Sequence, residues 1–288
     1  MNNLIKDSWD ILKNNPNLYN APIFIWFISS LLSPDFSVSI YYFISIATIG
    51  SINMAITAGW YNQIKVNIAT KEKSTLDDLL AGVGKYFNVI LSGNVVLFIL
   101  LCTSFIGVYS IGEYFININD SQLKDFQKIG NELAKMTPEQ VTQYMKNVHP
   151  EIISIAYKWL MVFVTYATLA ALFYFFISLW TQIAVFTGTN WISSWKESFS
   201  IVRKNLKIFT ALTFIQAWFY ILFIVVNLLV NDSFIQLMMI IISIVLEAYF
   251  AVLFCLFVFK FNDNKKIELL KDDLQSTVPK VQRPDNKK

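Results

Sequence analysis

The sequence predicts an all-α, polytopic membrane protein: six transmembrane helices arranged as three hairpins, each preceded by an interfacial amphipathic helix. Three observations carry this expectation. Hydrophobic types make up 55% of the 288 residues and charged types only 15%, where soluble domains carry about 25% charged residues. The mean hydropathy is +0.50. The apolar residues fall in runs of about 20, the length of helix that spans a hydrocarbon core. This distribution argues against disorder, a collagen repeat, a disulfide scaffold and a soluble enzyme. The net charge of +3 is too small to point to nucleic acid.

The predicted spans are 18–33, 37–59, 88–112, 157–182, 207–230 and 233–259. The first is short and ends at Ser33-Pro34, because proline disfavours helix at the residue before it. It either crosses by thinning the bilayer locally or is re-entrant. The fourth is framed by Trp159 and Trp180, separated by about 31 Å of helix, so that one tryptophan meets each interface. Eighteen of the 23 Lys and Arg residues fall in the N-terminus, loops 2–3 and 4–5 and the tail. That asymmetry predicts both termini cytoplasmic, and the Asn-, Ile-, Lys- and Phe-rich composition points to a prokaryotic cytoplasmic membrane. The first residues, Met1 to Asp7, lack the basic-then-apolar order of a cleavable signal, so the first spans are expected to act as uncleaved insertion signals.

Residues 1–260 read as a single transmembrane domain, and 261–288, charged and containing Pro279 and Pro284, as a disordered tail. Residues 113–156 form the outer loop. Leu123, Phe126, Ile129 and Leu133 give a helix over about 121–135 its apolar spacing. Thr137, Pro138 and Gln140 form a capping box that starts a second helix, with Val141, Tyr144, Met145 and Val148 on its apolar side.

An internal repeat orders the chain. At a constant offset of 190, Ser8/Ser198, Ile11/Ile201 and Asn15/Asn205 are identical, and Trp9/Phe199, Leu12/Val202, Lys13/Arg203, Leu18/Ile208 and Tyr19/Phe209 are conservative. A looser third unit runs from Leu76 to Phe87. Gln63-Ile64-Lys65-Val66, closing the first hairpin, is echoed by Gln182-Ile183-Ala184-Val185, closing the second. Each unit is an amphipathic segment, suited to the headgroup plane, followed by a hairpin. All have one orientation, so the repeat is parallel rather than inverted.

The run Ser8-Trp9-Asp10-Ile11-Leu12-Lys13-Asn14-Asn15-Pro16 ahead of one hairpin, with Ser198-Phe199-Ser200-Ile201-Val202-Arg203-Lys204-Asn205 ahead of the last, resembles a broad group of six-helix prokaryotic integral membrane proteins. These have largely unassigned function and are related to the membrane domain of glycerophosphodiester phosphodiesterases. The resemblance covers most of the span region but not loop 113–150. None of its motifs is catalytic, and the phosphodiesterase barrel is not in this sequence. It therefore implies fold and membrane location rather than activity.

Chemistry inside the spans centres on Glu247, the one acidic residue near the middle of a span, where an ionisable group is costly and by default a functional candidate. In an antiparallel hairpin, residues of equal number-sum lie at equal depth. Gln216–Glu247, Tyr220–Ser243 and Asn227–Gln236 share one sum, and on each helix they are four or seven apart, hence on one face. Two readings of this polar ladder stay open: glue for the hairpin, or a ligand or proton site. Asn53 and Asn94 are further polar residues in spans 2 and 3.

Enzymatic sets are missing. His149 is the single histidine, which excludes HExxH and multi-histidine metal sites. Gly82-Val83-Gly84-Lys85 lacks the earlier glycine and the following Ser or Thr of a phosphate loop, with Leu79 and Tyr86 in those places. Cys102 and Cys255 read as small buried hydrophobes. No cofactor or metal is expected. The sequence points to a non-enzymatic transport or binding component for a lipid or amphiphile. An accessory or scaffold protein, acting on other membrane proteins through its outer loop or tail, is the alternative. The lipid bilayer is the one partner common to both.

Overall fold

The computed structural model describes residues 2–31, 40–116, 150–229 and 233–262, together with residues 124, 128, 129, 131, 132, 135–137, 140 and 144. Among the described residues the regular structure is helical, with no strand. In chain order the helices are α1 (Asn2–Asn14), α2 (Asn20–Leu31), α3 (Ile40–Thr70), α4 (Leu76–Ile116), α5 (Pro150–Ile177), α6 (Trp180–Thr187), α7 (Trp191–Lys204), α8 (Leu206–Leu229) and α9 (Ser233–Phe261); a 3-10 turn, Pro16–Tyr19, links α1 to α2. Four helical stretches are long and apolar enough to cross a membrane: α4, α5 with α6, α8 and α9. The predicted first two spans run over the 3-10 turn, α2, residues 32–39, which lie outside the described residues, and α3. Twelve residues of α2 reach only about 18 Å.

Two compact units make up the chain, residues 1–94 with 176–288, and residues 95–175. In the larger unit the repeat becomes visible as repeated bonding. The Asn15 N–H reaches the carbonyls of Ile11 and Leu12 at 3.0 and 3.3 Å, ending α1. The Asn205 N–H reaches those of Ile201 and Val202 at 3.1 and 3.2 Å, ending α7. These are the paired positions of the 190-residue offset. Ser8 and Ser198, and Leu12 and Val202, are fully buried in both copies. The same register continues where the sequence reading stopped: Lys6 pairs with Lys196, Asp7 with Glu197, and buried Ala58 and Trp60 of α3 with buried Ala248 and Phe250 of α9.

The third unit is built differently. Its amphipathic segment is not a separate helix but the first turns of α4, one continuous helix of 41 residues. At 1.5 Å per residue it is about 62 Å long, twice the hydrocarbon thickness. No proline or Asn-Pro step interrupts it, so the register runs on. A capping box starts it: the Thr75 N–H and hydroxyl donate to the Asp78 carboxylate at 2.7 and 3.0 Å, and the Asp78 N–H donates back at 3.3 Å.

The predicted fourth span also differs. The helix stops at Ile177 and restarts at Trp180, six residues before Phe186. A buried side chain compensates the break. Ser198 of α7 accepts the Leu179 N–H at 3.2 Å and donates to the Phe176 carbonyl at 2.9 Å. Gly188, at φ 65°, then ends α6 in the left-handed conformation that glycine adopts without strain.

Each amphipathic segment packs on the end of an apolar helix. The first turns of α4 lie on α3, where the Asn62 amide donates to the Asp78 carbonyl at 2.7 Å and the Gln63 amide to the Thr75 carbonyl at 2.7 Å. Helix α7 covers α6, with Trp195 edge-on to Trp180 at 6.3 Å. Helix α1 covers α9, with Trp9 at 6.4 Å from Tyr249. The faces turned inward mix apolar side chains with small polar ones, Leu4, Ser8 and Leu12 on α1 and Ser194, Ser198, Ile201 and Val202 on α7, so these helices cover protein. In the smaller unit an aromatic zipper joins α4 to α5: Tyr109 stacks on Trp159 at 5.0 Å and Phe105 on Phe163 at 5.9 Å. Tyr166 donates to the Leu101 carbonyl at 2.7 Å.

The outer loop is described only in part. The Thr137–Gln140 capping box is there, with the Thr137 N–H donating to the Gln140 side chain at 2.9 Å. Tyr144 donates to Glu132, and that bond, followed by burial and the carboxylate charge, raises its pKa above the ordinary phenol value. The expected helix positions Leu123, Phe126, Leu133, Pro138, Val141, Met145 and Val148, and His149, lie outside the described residues, as does the tail beyond residue 262.

The α3–α4 contact gives a direct test. A Cβ on Gly82 would meet the Asn62 Cβ at 2.5 Å and the Gly59 Cα at 2.8 Å, whereas one on Gly84 meets nothing within 4 Å. Gly82→Ala is expected to destabilise by about 1–3 kcal/mol through overpacking, and Gly84→Ala to stabilise by up to about 1 kcal/mol through helix propensity. SDS titration of the purified protein followed by circular dichroism measures both.

Candidate functional site

Two polar groupings stand out in the larger unit. The first lies where α3, α6 and α9 come together. Gln63, Ile64 and Lys65 of α3 and Gln182, Ile183 and Ala184 of α6, the echoed quartets of the sequence, are all buried. The corresponding residues of α9 at the 190 offset, Leu253, Phe254 and Cys255, are buried too. Three helix ends thus present equivalent turns to one another.

Lys65 lies inside this junction with 5% of its surface exposed. Counted from the sequence as a loop cation, it is instead a core residue of α3. Its Nζ donates to the Tyr86 hydroxyl of α4 at 3.0 Å and to the Val185 carbonyl of α6 at 2.9 Å. The ammonium also sits 5.4 Å from the Tyr86 ring centre, with Lys85 at 5.5 Å. A buried charge is tolerable only when hydrogen-bonded, and hydrogen bonds to charged groups are the strong ones. The carbonyl of Val185 is free for this because the helix ends at Thr187, leaving its last carbonyls without intrahelical donors.

Around the lysine the polar bonds continue. Gln182 donates to the Tyr61 hydroxyl at 3.2 Å. Asn15 donates to the Ser74 hydroxyl at 2.8 Å and Asn17 to the Ser74 carbonyl at 2.6 Å, tying the end of α1 to the start of α4. Trp60 Nε1 and Gln63 Oε1 are buried without a hydrogen-bond partner. Sequence reasoning missed this site. The signal was present in the echoed quartets: a lysine occupying a place filled by alanine in one copy and cysteine in another.

The second grouping is the polar face of α8 and α9. Phe209 meets Phe254 edge-on at 5.8 Å and Phe219 meets Phe250 at a tilt at 6.2 Å, so the two helices run antiparallel near the number-sum used to pair their residues. Gln216 and Tyr220 are hydrogen-bonded to each other along α8, and Glu247 of α9 lies within electrostatic reach of Tyr220. Glu247 is partly buried, and Tyr220 is 46% exposed. Ser243 gives its proton to the Ile240 carbonyl of its own helix at 2.7 Å. Gln236 is exposed near the start of α9, and the Asn227 side chain lies outside the described residues. The structure therefore brings Gln216, Tyr220 and Glu247 together within about one helical turn. Asn53 donates to Ser29 of α2 at 3.3 Å and Asn94 to the Ile90 carbonyl of its own helix at 2.9 Å. Cys255 is buried and Cys102 exposed. Among the described residues no cluster of His, Cys, Asp and Glu could hold a metal.

Comparison of the chain with protein-family models, with curated proteins and with solved structures yields no match.

The Lys65 bonds predict an order of effects. Tyr86→Phe is expected to cost about 1.5–3 kcal/mol, because it removes a bond to a buried charge, and Tyr61→Phe, at a neutral partner, about 0.5–1.5 kcal/mol. SDS unfolding of the two variants measures the difference, and equal effects would contradict a special role for the lysine.

Proposed function

We propose that the chain is a non-enzymatic, multi-pass protein of a prokaryotic cytoplasmic membrane, with six spans in three hairpins and both termini cytoplasmic, and that it binds or moves a lipid or amphiphilic small molecule. The observation that carries this reading is the Gln216–Tyr220–Glu247 grouping. A partly buried carboxyl, in electrostatic reach of a phenol, sits in the middle of α9, on helices whose outward residues around it are mainly apolar. Phe214, Trp218, Ile221, Met238 and Ile242 are all exposed. A charged or polar headgroup would meet Glu247 and its acyl chains the surrounding apolar side chains, as concave apolar sites with a few polar anchors do. The resemblance of Ser8–Pro16 and Ser198–Asn205 to the membrane domain of glycerophosphodiester phosphodiesterases agrees with a role at the lipid bilayer.

An accessory or scaffold role is the second reading, favoured by one feature. Only 6% of the apolar window in Pro150–Thr187 is buried within the chain, against 44% in Ser233–Phe261, so that helix has surface to offer another membrane protein.

Native mass spectrometry with lipid extraction separates the two. Wild type is expected to retain a lipid or small molecule that Glu247→Gln loses at least tenfold, with unfolding in SDS unchanged within about 1 kcal/mol. Equal ligand content in both proteins would remove Glu247 from any binding site and leave it as hairpin glue.

A further inference from the structure

The amphipathic helices α1 and α7 hide the same face and expose the same face. On α1, Leu4, Ser8 and Leu12 are buried, as is Asn15 just past its end; on α7, Ser194, Ser198, Ile201 and Val202 are. At 100° per residue these positions form one stripe, and residues 6, 9 and 13, with their counterparts 196, 199 and 203, form the opposite one. That outer stripe reads Lys6, Trp9, Lys13 on α1 and Lys196, Phe199, Arg203 on α7, all exposed. Cation, aromatic and cation recur in the same order at the same spacing.

The aromatic of each stripe is 50% exposed for Trp9 and 46% for Phe199. Each also touches an aromatic residue of an apolar helix: Trp9 lies 6.4 Å from Tyr249 of α9, and Phe199 lies 4.9 Å from Phe176, next to the last residue of α5. Both rings are thus fixed beside an apolar helix, where a bilayer's interfacial zone would begin. The cations at three residues before and four residues after each ring flank it on one face, with long stems that let the charge reach past the ring.

We propose that these two stripes are equivalent docking stations for the headgroups of anionic phospholipids at the membrane surface. The ring inserts beside the acyl chains and the flanking cations straddle one phosphate. Charge complementarity favours a lipid over a protein partner, because both stripes adjoin apolar helices and so face the bilayer itself. The α7 station is the more cationic, since Lys204 and Lys207 follow it and Glu197 alone opposes, whereas Asp7 and Asp10 share α1 with its two lysines. The proposal is independent of Glu247.

The test is titration of the full-length, detergent-solubilised protein with phosphatidylglycerol and phosphatidylcholine, read by native mass spectrometry. The double variant Lys196→Glu/Arg203→Glu is expected to weaken phosphatidylglycerol binding about tenfold, and Lys6→Glu/Lys13→Glu about threefold, with phosphatidylcholine unchanged. All four residues are exposed, so thermal unfolding should match wild type. Phosphatidylglycerol binding unchanged in both variants would overturn the proposal. So would parallel loss of both lipids, or displacement of phosphatidylglycerol by millimolar inorganic phosphate, which would mark a free-anion site. Replacing Phe199 by Ala should weaken phosphatidylglycerol binding while leaving its salt dependence intact.

Discussion

A lysine ammonium held between three helices organises the larger unit. Lys65 arrives on α3, takes its hydroxyl partner from α4 and its carbonyl partner from α6. An uncompensated charge in such a place would cost several kcal/mol, so the ends of α3 and α6 and the first turns of α4 must stay in register for the fold to persist. The end of α6 at Thr187 leaves the Val185 carbonyl for the lysine, and the break after Ile177 is bridged by α7. Ser198, by satisfying both sides of the break, makes α7 part of this arrangement.

The packing around that junction follows the repeat. The first turns of α4 cover α3, α7 covers α6 and α1 covers α9, so each apolar helix end is sheltered by the amphipathic segment of another unit. This explains why those segments carry buried serines and asparagines at fixed places. Ser198 and Asn205 serve backbone groups at a helix break and a helix end, where orphaned donors and acceptors need partners, while Ser8 bonds back to the Leu4 carbonyl of its own helix and Asn15 ties α1 to the Ser74 hydroxyl. It also explains how the outward faces of α1 and α7 remain available for contact with lipid.

Much of this was legible in the sequence, and the exceptions have physical causes. The all-helical class followed from apolar runs, and the matched helices α1 and α7 from columns such as Ser8/Ser198 and Asn15/Asn205. The Thr137–Gln140 capping box followed from spacing alone. The separate interfacial helix of the third unit was not realised, because segment 76–87 has no terminator and helix propagates once started. The break at Ser178–Leu179 could not be read locally, since it is stabilised by Ser198, 19 residues away. Lys65 was assigned to a loop by its charge; its burial depends on Tyr86 and Val185, which no window around it contains. At the polar face of α8 and α9, equal depth pairs Gln216 with Glu247 and Tyr220 with Ser243, while in the structure Tyr220 lies within electrostatic reach of Glu247. Depth alone could not anticipate that Tyr220 would bond along its own helix, or that Ser243 would turn back to Ile240.

Hydrogen exchange with mass spectrometry, comparing wild type with Tyr86→Phe, tests the organising role of Lys65 most directly. Residues 58–66, 180–187 and 248–258 are expected to exchange slowest in wild type and to lose protection together, by a similar factor, in the variant. Faster exchange confined to α4 around residue 86, with α6 and α9 unchanged, would contradict the account and reduce the lysine to a local contact.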